Sequence, residues 1–228
     1  MDYQGEYIRL NPGYHKEDSF RKFVDLTSVY RDKPEKMLDL GCGVGALTLR
    51  LYDFYRPSKM TGVDISKVAI ETASKSSENI QWFVGDAMTY EPGEIVDVTI
   101  MADLVEHIAD DLMVLQEIKK YSKKIVIRVP LENSWSNRTI KALGLGDEFK
   151  RSEVRFGHVH HYSFPELKNL FGKAELKVEK YDFFPLVKRT LLRFEILRWV
   201  GLLIWPFSKI LAVKSVGGFC VFVLSTSK

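Results

Sequence analysis

Cysteine is scarce in this chain: two among 228 residues, Cys42 and Cys220, far apart. Without a spaced cysteine framework, a disulfide-stapled secreted fold is excluded and a reducing, cytoplasmic compartment is expected. The start, Met1-Asp-Tyr-Gln-Gly-Glu, has no basic residue ahead of an apolar core, so no signal peptide is expected. The uncharged stretch 199–208 is closed by Arg198 and Lys209, well short of the ~20 apolar residues that a spanning helix needs. Internal repeats and low-complexity linkers are missing too. Neither charge dominates: 33 basic against 30 acidic residues leave +3. That is too mild to argue for nucleic acid, whose footprint is a clustered patch rather than a total. With 46% hydrophobic and 28% charged residues, the chain is ordinary globular material, long enough for one α/β domain with its own core.

What the chain does carry is a glycine turn. Residues 36–40 read as a short buried strand that runs into Gly41, Gly43 and Gly45 and then opens a helix through Leu47, Leu51 and Phe54. Glycines permit the backbone angles of a tight strand-to-helix turn and let the backbone lie directly against a ligand. Before it, a helix from residue 15 or 16 to Tyr30 is expected to cover something with Phe20, Phe23, Val24 and Tyr30. Asn11-Pro12-Gly13 reads as a turn. After it, strands are expected at 59–64, 80–84, 96–101 and 124–129, the last stopped by Pro130, with helices at 67–75, capped by Ser66, and around 110–121. Short apolar strands alternating with helices point to a parallel sheet covered on both faces.

Past Pro130 the alternation breaks. Residues 131–157 read as an insertion or lid, and Gly157-His-Val-His-His-Tyr-Ser163 leads into a helix at 164–171 with a Ser163/Glu166 capping box. Strands are expected at 176–181 and 218–224. Between them, 183–216 is too long and apolar for a plain loop; one or two helices beside the mouth of the site are expected.

Gly41-x-Gly43-x-x-Ala46 also satisfies the dinucleotide fingerprint, with Asp64 at a suitable distance for ribose, so a nicotinamide-dependent oxidoreductase is one reading. The context favours another. Asp39-x-Gly41-x-Gly43-x-Gly45 resembles motif I of the class I S-adenosylmethionine-dependent methyltransferases. Gly62-Val-Asp64-Ile-Ser resembles the acidic end of their second strand, Phe83-Val-Gly-Asp86-Ala the adenine loop, and Ile100-Met-Ala-Asp-Leu-Val-Glu-His-Ile108 the signature after strand four. Gly157-His158 with Tyr162-Ser163 resembles a pattern ahead of the late helix in small-molecule members. The resemblance spans about 36–181. It implies a Rossmann-like seven-stranded sheet with helices on both faces and a helical C-terminal insertion. The chain then divides into an N-terminal cap (1–34), a cofactor-binding core (35–181) and an apolar, basic insertion (182–217).

The resemblance also implies roles. Asp39, Gly41, Gly43, Gly45, Asp64, Ile65, Asp86, Ala87 and Ala102 would bind S-adenosyl-L-methionine, with Asp64 on the ribose hydroxyls and Asp86 on the adenine amino group. An oxygen or nitrogen nucleophile can need a base; His107, Glu106, His158, His160 and His161 are candidates, with His158 or His161 expected to contribute. In ubiquinone-biosynthesis O-methyltransferases, which the chain resembles here, a carboxylate-x-x-Glu-His set accompanies a divalent ion. Asp103, Glu106 and His107 would be its counterpart. Many methyltransferases carry Glu-His without a metal, and no metal is assigned.

A Pro-Pro-aromatic motif after strand four, usual for methyltransferases of base or amide nitrogens, is absent, which argues against a nucleic-acid substrate. Within 183–216, six basic residues stand against Glu195 alone, interleaved with Phe194, Trp199, Trp205 and Phe207. That composition suits a substrate lid, a partly hydrophobic or lipid-like acceptor and a peripheral membrane contact through 186–214. Methyl transfer to oxygen on a small acceptor is the leading expectation. A cofactor-binding interaction module without catalysis is the third reading.

Overall fold

Short apolar runs after turn signals become strands, and most of them are followed by a helix. The computed structural model describes residues 14–186 and 192–226; the expected 11–13 turn and Lys188 and Arg189 lie outside them. The order is α1 (Tyr14–Val29), β1 (Lys36–Leu40), α2 (Ala46–Tyr55), β2 (Lys59–Asp64), α3 (Lys67–Ala73), β3 (Gln81–Val84) and β4 (Val96–Ala102). A 3-10 turn (Val105–His107), α4 (Asp111–Tyr121), β5 (Ser122–Leu131), α5 (Trp135–Ala142) and α6 (Glu148–Phe156) follow. The chain continues through α7 (Phe164–Lys173), β6 (Leu176–Phe184), α8 (Leu192–Ile204), α9 (Lys209–Val216) and β7 (Gly218–Thr226).

The strands form one seven-stranded sheet in the order β3-β2-β1-β4-β5-β7-β6. β1 to β5 pair in parallel, and β7 lies antiparallel between β5 and β6. Dinucleotide-binding sheets run 3-2-1-4-5-6, so the antiparallel β7 separates this sheet from theirs. One hydrophobic cluster joins α4, α7 and one sheet face, and another joins α1, α2 and the opposite face. Ser66 caps α3 by accepting from Ala69 N–H, and the Ser163/Glu166 capping box opens α7.

Two expectations are corrected. Pro130 does not end β5; it pairs opposite Phe219 of β7. β4 stops opposite Arg128, so at Pro130 only one neighbour is left to need a ladder bond. The first helix also turns a partly different face inward. Of the four expected positions, Tyr30 is buried and Phe23 packs against the core, but Phe20 and Val24 are exposed, while Ser19, Asp25, Leu26 and Val29 are buried.

The reason is electrostatic. Arg128, fully buried on β5, donates from Nε to Asp25 at 2.8 Å and from Nη1 to Asp103 at 2.6 Å. Lys22 of α1 reaches Asp103 at 3.2 Å, and the Arg128 guanidinium stacks 4.0 Å from the Phe219 ring centroid. Buried charges must be paired, so α1 docks by its charged side.

Candidate functional site

The turn after β1 is built from three left-handed glycines, Gly41, Gly43 and Gly45, at φ +73°, +54° and +78°. A side chain at Gly45 would place its Cβ 2.6 Å from the Trp82 ring, whereas one at Gly43 would meet nothing within 4 Å. The turn is therefore packed from behind at Gly45 and open in front at Gly43. Gly45→Ala is expected to cost roughly 2–4 kcal/mol in a urea melt, from left-handed strain and overpacking together. Gly45, the N-cap of α2, supplies no side-chain cap, so the first N–H groups of the helix remain available to a ligand.

Asp64, at the end of β2 and buried, braces this turn. Its Oδ2 accepts from Gly43 N–H at 2.8 Å and its Oδ1 from Ser66 N–H at 2.9 Å. Each carboxylate oxygen has further lone pairs for hydroxyl donors. Ile65 beside it is exposed. Asp86 is exposed in the loop after β3, where its Oδ1 accepts from Met88 N–H at 2.9 Å; Ala87 packs against the core. Ala102 is buried at the end of β4. Asp39 is buried beneath the turn, where its carboxylate accepts from the Thr48 hydroxyl at 2.6 Å and ties β1 to α2. Burial raises it to about 7. Cys42 is also buried, and burial pushes its thiol far up, away from nucleophile chemistry.

Beyond β4, the expected Asp103–Glu106–His107 set does not form. Asp103 adopts φ +56° and turns its carboxylate to Arg128 and Lys22. Burial would raise it, but those two cations outweigh burial and hold it at about 2. Ligand-type atoms of Glu106, His107 and His158 instead lie within 4.8 Å of one another, a spacing that could hold a metal ion. Glu106 is fully buried and neither carboxyl oxygen has a hydrogen-bond partner among the described residues; burial, then the charge of Asp103, pushes it well above the ordinary carboxylate value. His107 is held below the ordinary imidazole value, first by desolvation of the ring and then by His158.

His158 and His161 meet at a residue the sequence reading missed. Glu132, just past β5, accepts through one oxygen, Oε2, from His158 Nδ1 at 3.0 Å and from His161 Nδ1 at 2.7 Å. Its Oε1 accepts from Ser152 of α6 at 2.7 Å. Burial would raise Glu132, yet the two imidazole hydrogen bonds win and hold it at about 2; the same bond raises His161. This trio is a second set whose ligand-type atoms lie within 4.8 Å. His160 is not part of either set: its Nε2 lies 3.1 Å from the Ala109 carbonyl and its ring stacks on Tyr162. The one hint of Glu132 in the sequence was an acid directly after a strand, a position that catalytic groups often take in parallel sheets.

Glu132 also lines a cavity of about 940 Å³ between the two stretches that interrupt the alternation. Leu131 and Phe219 come from strand ends, Arg151 from α6, and Leu186 and Leu197 from the segment around α8.

Comparison with known proteins follows the same lines. A family model described as a methyltransferase domain matches residues 14–181. The chain is 30% identical over 93 residues to (S)-coclaurine N-methyltransferase of Thalictrum flavum subsp. glaucum, a match covering 39% of this chain and 26% of that protein. It is 36% identical over 69 residues to malonyl-[acyl-carrier protein] O-methyltransferase of Anoxybacillus flavithermus, covering 29% and 27%. These matches span about a quarter of the length of either relative. Among solved structures, a chain of the complex between the Haloferax volcanii Trm112 methyltransferase activator and a methyltransferase superposes with a TM-score of 0.66. That likeness, at 16% identity and covering 96% of this chain and 92% of the other, concerns the fold.

Proposed function

Because the chain belongs to the class I S-adenosylmethionine-dependent methyltransferases, we propose that it methylates an oxygen atom of a small, partly hydrophobic acceptor. S-adenosylmethionine supplies an electrophilic methyl group on a sulfonium. Gly43, open on its outer side, and Asp64 would hold that cofactor, with Gly41, Ile65, Asp86, Ala87 and Ala102 around it.

The observation that carries the reading is the His158–Glu132 pair at the end of β5, two strands from the Gly43 turn at the end of β1. With Nδ1 donating to Glu132, His158 keeps its lone pair on Nε2, the arrangement of a general base. Glu132, held at about 2 by the imidazole hydrogen bonds, fixes the ring and stabilises the imidazolium that forms when Nε2 takes the acceptor's proton. His161 donates to the same Glu132 oxygen and anchors it. The walls of the cavity, Leu131, Leu186, Leu197 and Phe219, suit the apolar part of an acceptor. Nitrogen is the second reading, favoured by the match to coclaurine N-methyltransferase; an amine that binds unprotonated has no call for this base.

Calorimetry with S-adenosylhomocysteine, S-adenosylmethionine and NAD tests the cofactor. Binding of NAD alone would return the nicotinamide reading. A panel of hydroxyl- and amine-bearing amphiphiles with labelled methyl donor then tests the acceptor, and a chain that binds cofactor but never turns over would favour the interaction module. On a hydroxyl acceptor, His158→Ala is expected to lower kcat by about 10²–10⁴-fold with little change in cofactor affinity. Glu132→Gln should lower kcat less, leave KM near its original value and return the His161 pKa downward, as read by NMR titration. Full activity in His158→Ala would remove the base assignment.

A further inference from the structure

A helix that is apolar on all sides is ordinarily buried. α8 is apolar on two sides, and one of them has no cover among the described residues. On its inner side Leu197 lines the cavity, and Gly201 packs so closely that a Cβ there would lie 2.7 Å from Val216. On its outer side Ile196, Trp199, Val200 and Leu203 are exposed, at the three- and four-residue spacing of one helical face. The stripe runs on through Phe207, which is 89% exposed, to Ile210 and Leu211 of α9. A contiguous apolar surface of this kind marks a place where something binds.

Its border identifies what. Arg198, paired with Glu195 at 2.9 Å, stacks 4.8 Å from the Trp199 ring; Lys209, paired with Asp182 at 2.7 Å, lies 5.9 Å from the Trp205 ring; and Lys214 is exposed on α9. Over 182–216 the sequence has six basic residues against two acids, Asp182 and Glu195, which leaves the stretch net positive. Pairing this face with a second copy would bring like charges together, whereas an anionic surface is attracted by them. No helix among the described residues is long and apolar enough to cross a membrane, and the apolar groups lie along helices rather than across a bilayer.

We propose that the α8–α9 face docks on an anionic lipid surface, with Trp199, Leu203 and Phe207 inserted among the acyl chains and the basic residues at the headgroups. An amphipathic helix lying in the interface binds through buried apolar area together with attraction to anionic lipid. Because α8 is also a wall of the cavity, docking brings the cavity against the lipid. The docking itself does not depend on the identity of the reaction.

Co-sedimentation at physiological salt tests it, using phosphatidylcholine vesicles with and without phosphatidylglycerol. The full chain is expected to pellet with the anionic vesicles and to bind the neutral ones at least tenfold more weakly. Leu203→Asp/Phe207→Asp is expected to lose at least tenfold in anionic-vesicle binding while keeping its S-adenosylhomocysteine affinity. Should the double variant misfold, Phe207→Ser alone, at the most exposed of these positions, is expected to weaken binding severalfold. A full chain that stays in the supernatant, or a folded variant that pellets as well as the original, overturns the proposal. So does a dimer in light scattering that Phe207→Ser makes monomeric while neither protein pellets, since a second copy would then cover the face.

Discussion

Asp64→Ala is expected to weaken S-adenosylhomocysteine binding at least a hundredfold. The carboxylate has two tasks. It accepts from Gly43 N–H and Ser66 N–H, which holds the open glycine in place and joins the turn after β1 to the start of α3. It would also accept from the ribose hydroxyls. A hydrogen bond to a charged group contributes about 1.5–3 kcal/mol, and a hundredfold change corresponds to about 2.7 kcal/mol, so loss of the ribose contacts alone reaches that size. Asp64→Asn keeps the shape and one acceptor oxygen and should fall between the two. Calorimetry checks both variants; an affinity unchanged in Asp64→Ala would remove the ribose assignment. A parallel loss of thermal stability without ligand would report the bracing role separately.

Arg128→Met should be the most damaging single change to the fold, costing about 3–5 kcal/mol, because it leaves buried carboxylates without their partner. Asp25 and Asp103 both lean on this guanidinium, and Phe219 stacks on it. A urea melt reads the loss, and thermal unfolding should move down by roughly 10 °C. Adding Asp25→Leu and Asp103→Asn should recover part of it, since Lys22 keeps Asp18 as its partner and removing buried carboxylates together with their guanidinium costs less than stranding them. The pH dependence has a definite sign. Asp103 is depressed to about 2, so its contribution is present above the ordinary carboxylate range and is lost as pH falls toward 2. Asp25 is raised by burial and contributes in the opposite direction, losing stability as pH rises through its folded value. In Arg128→Met the Asp103 contribution shrinks, and the acid side of the stability curve flattens. An unchanged melt would mean that α1 is held by Leu26 and Val29 alone.

Much of this architecture was legible in the linear chain because its signals are local. β1 and β2 have the bounds expected from short apolar runs ending at glycine or aspartate. Ser66 and the Ser163/Glu166 pair mark helix starts whose donors and acceptors lie within three residues. The glycine turn, too, is a local demand on backbone angles. The order of the strands was not legible, since an antiparallel β7 between β5 and β6 is a pairing across long stretches of chain.

The residues that meet at the site follow the same division. By itself the sequence determined the strand–turn–helix at 36–55, the acidic ends of the next strands and the supply of histidines, all properties of neighbours along the backbone. Only the tertiary structure decided which of these groups meet. Three-residue spacing placed Asp103 beside Glu106 and His107, but the left-handed backbone at Asp103 and the buried Arg128 pull its carboxylate the other way. Glu132 lies 26 and 29 residues from His158 and His161, with no spacing rule to join them; the end of β5 and the loop before α7 bring them together. Apolar periodicity in α1 pointed to Phe20 and Val24, while burial went to Asp25 because a buried guanidinium must find its countercharge. Periodicity is written in the chain, but the partner that satisfies a buried charge is chosen by packing.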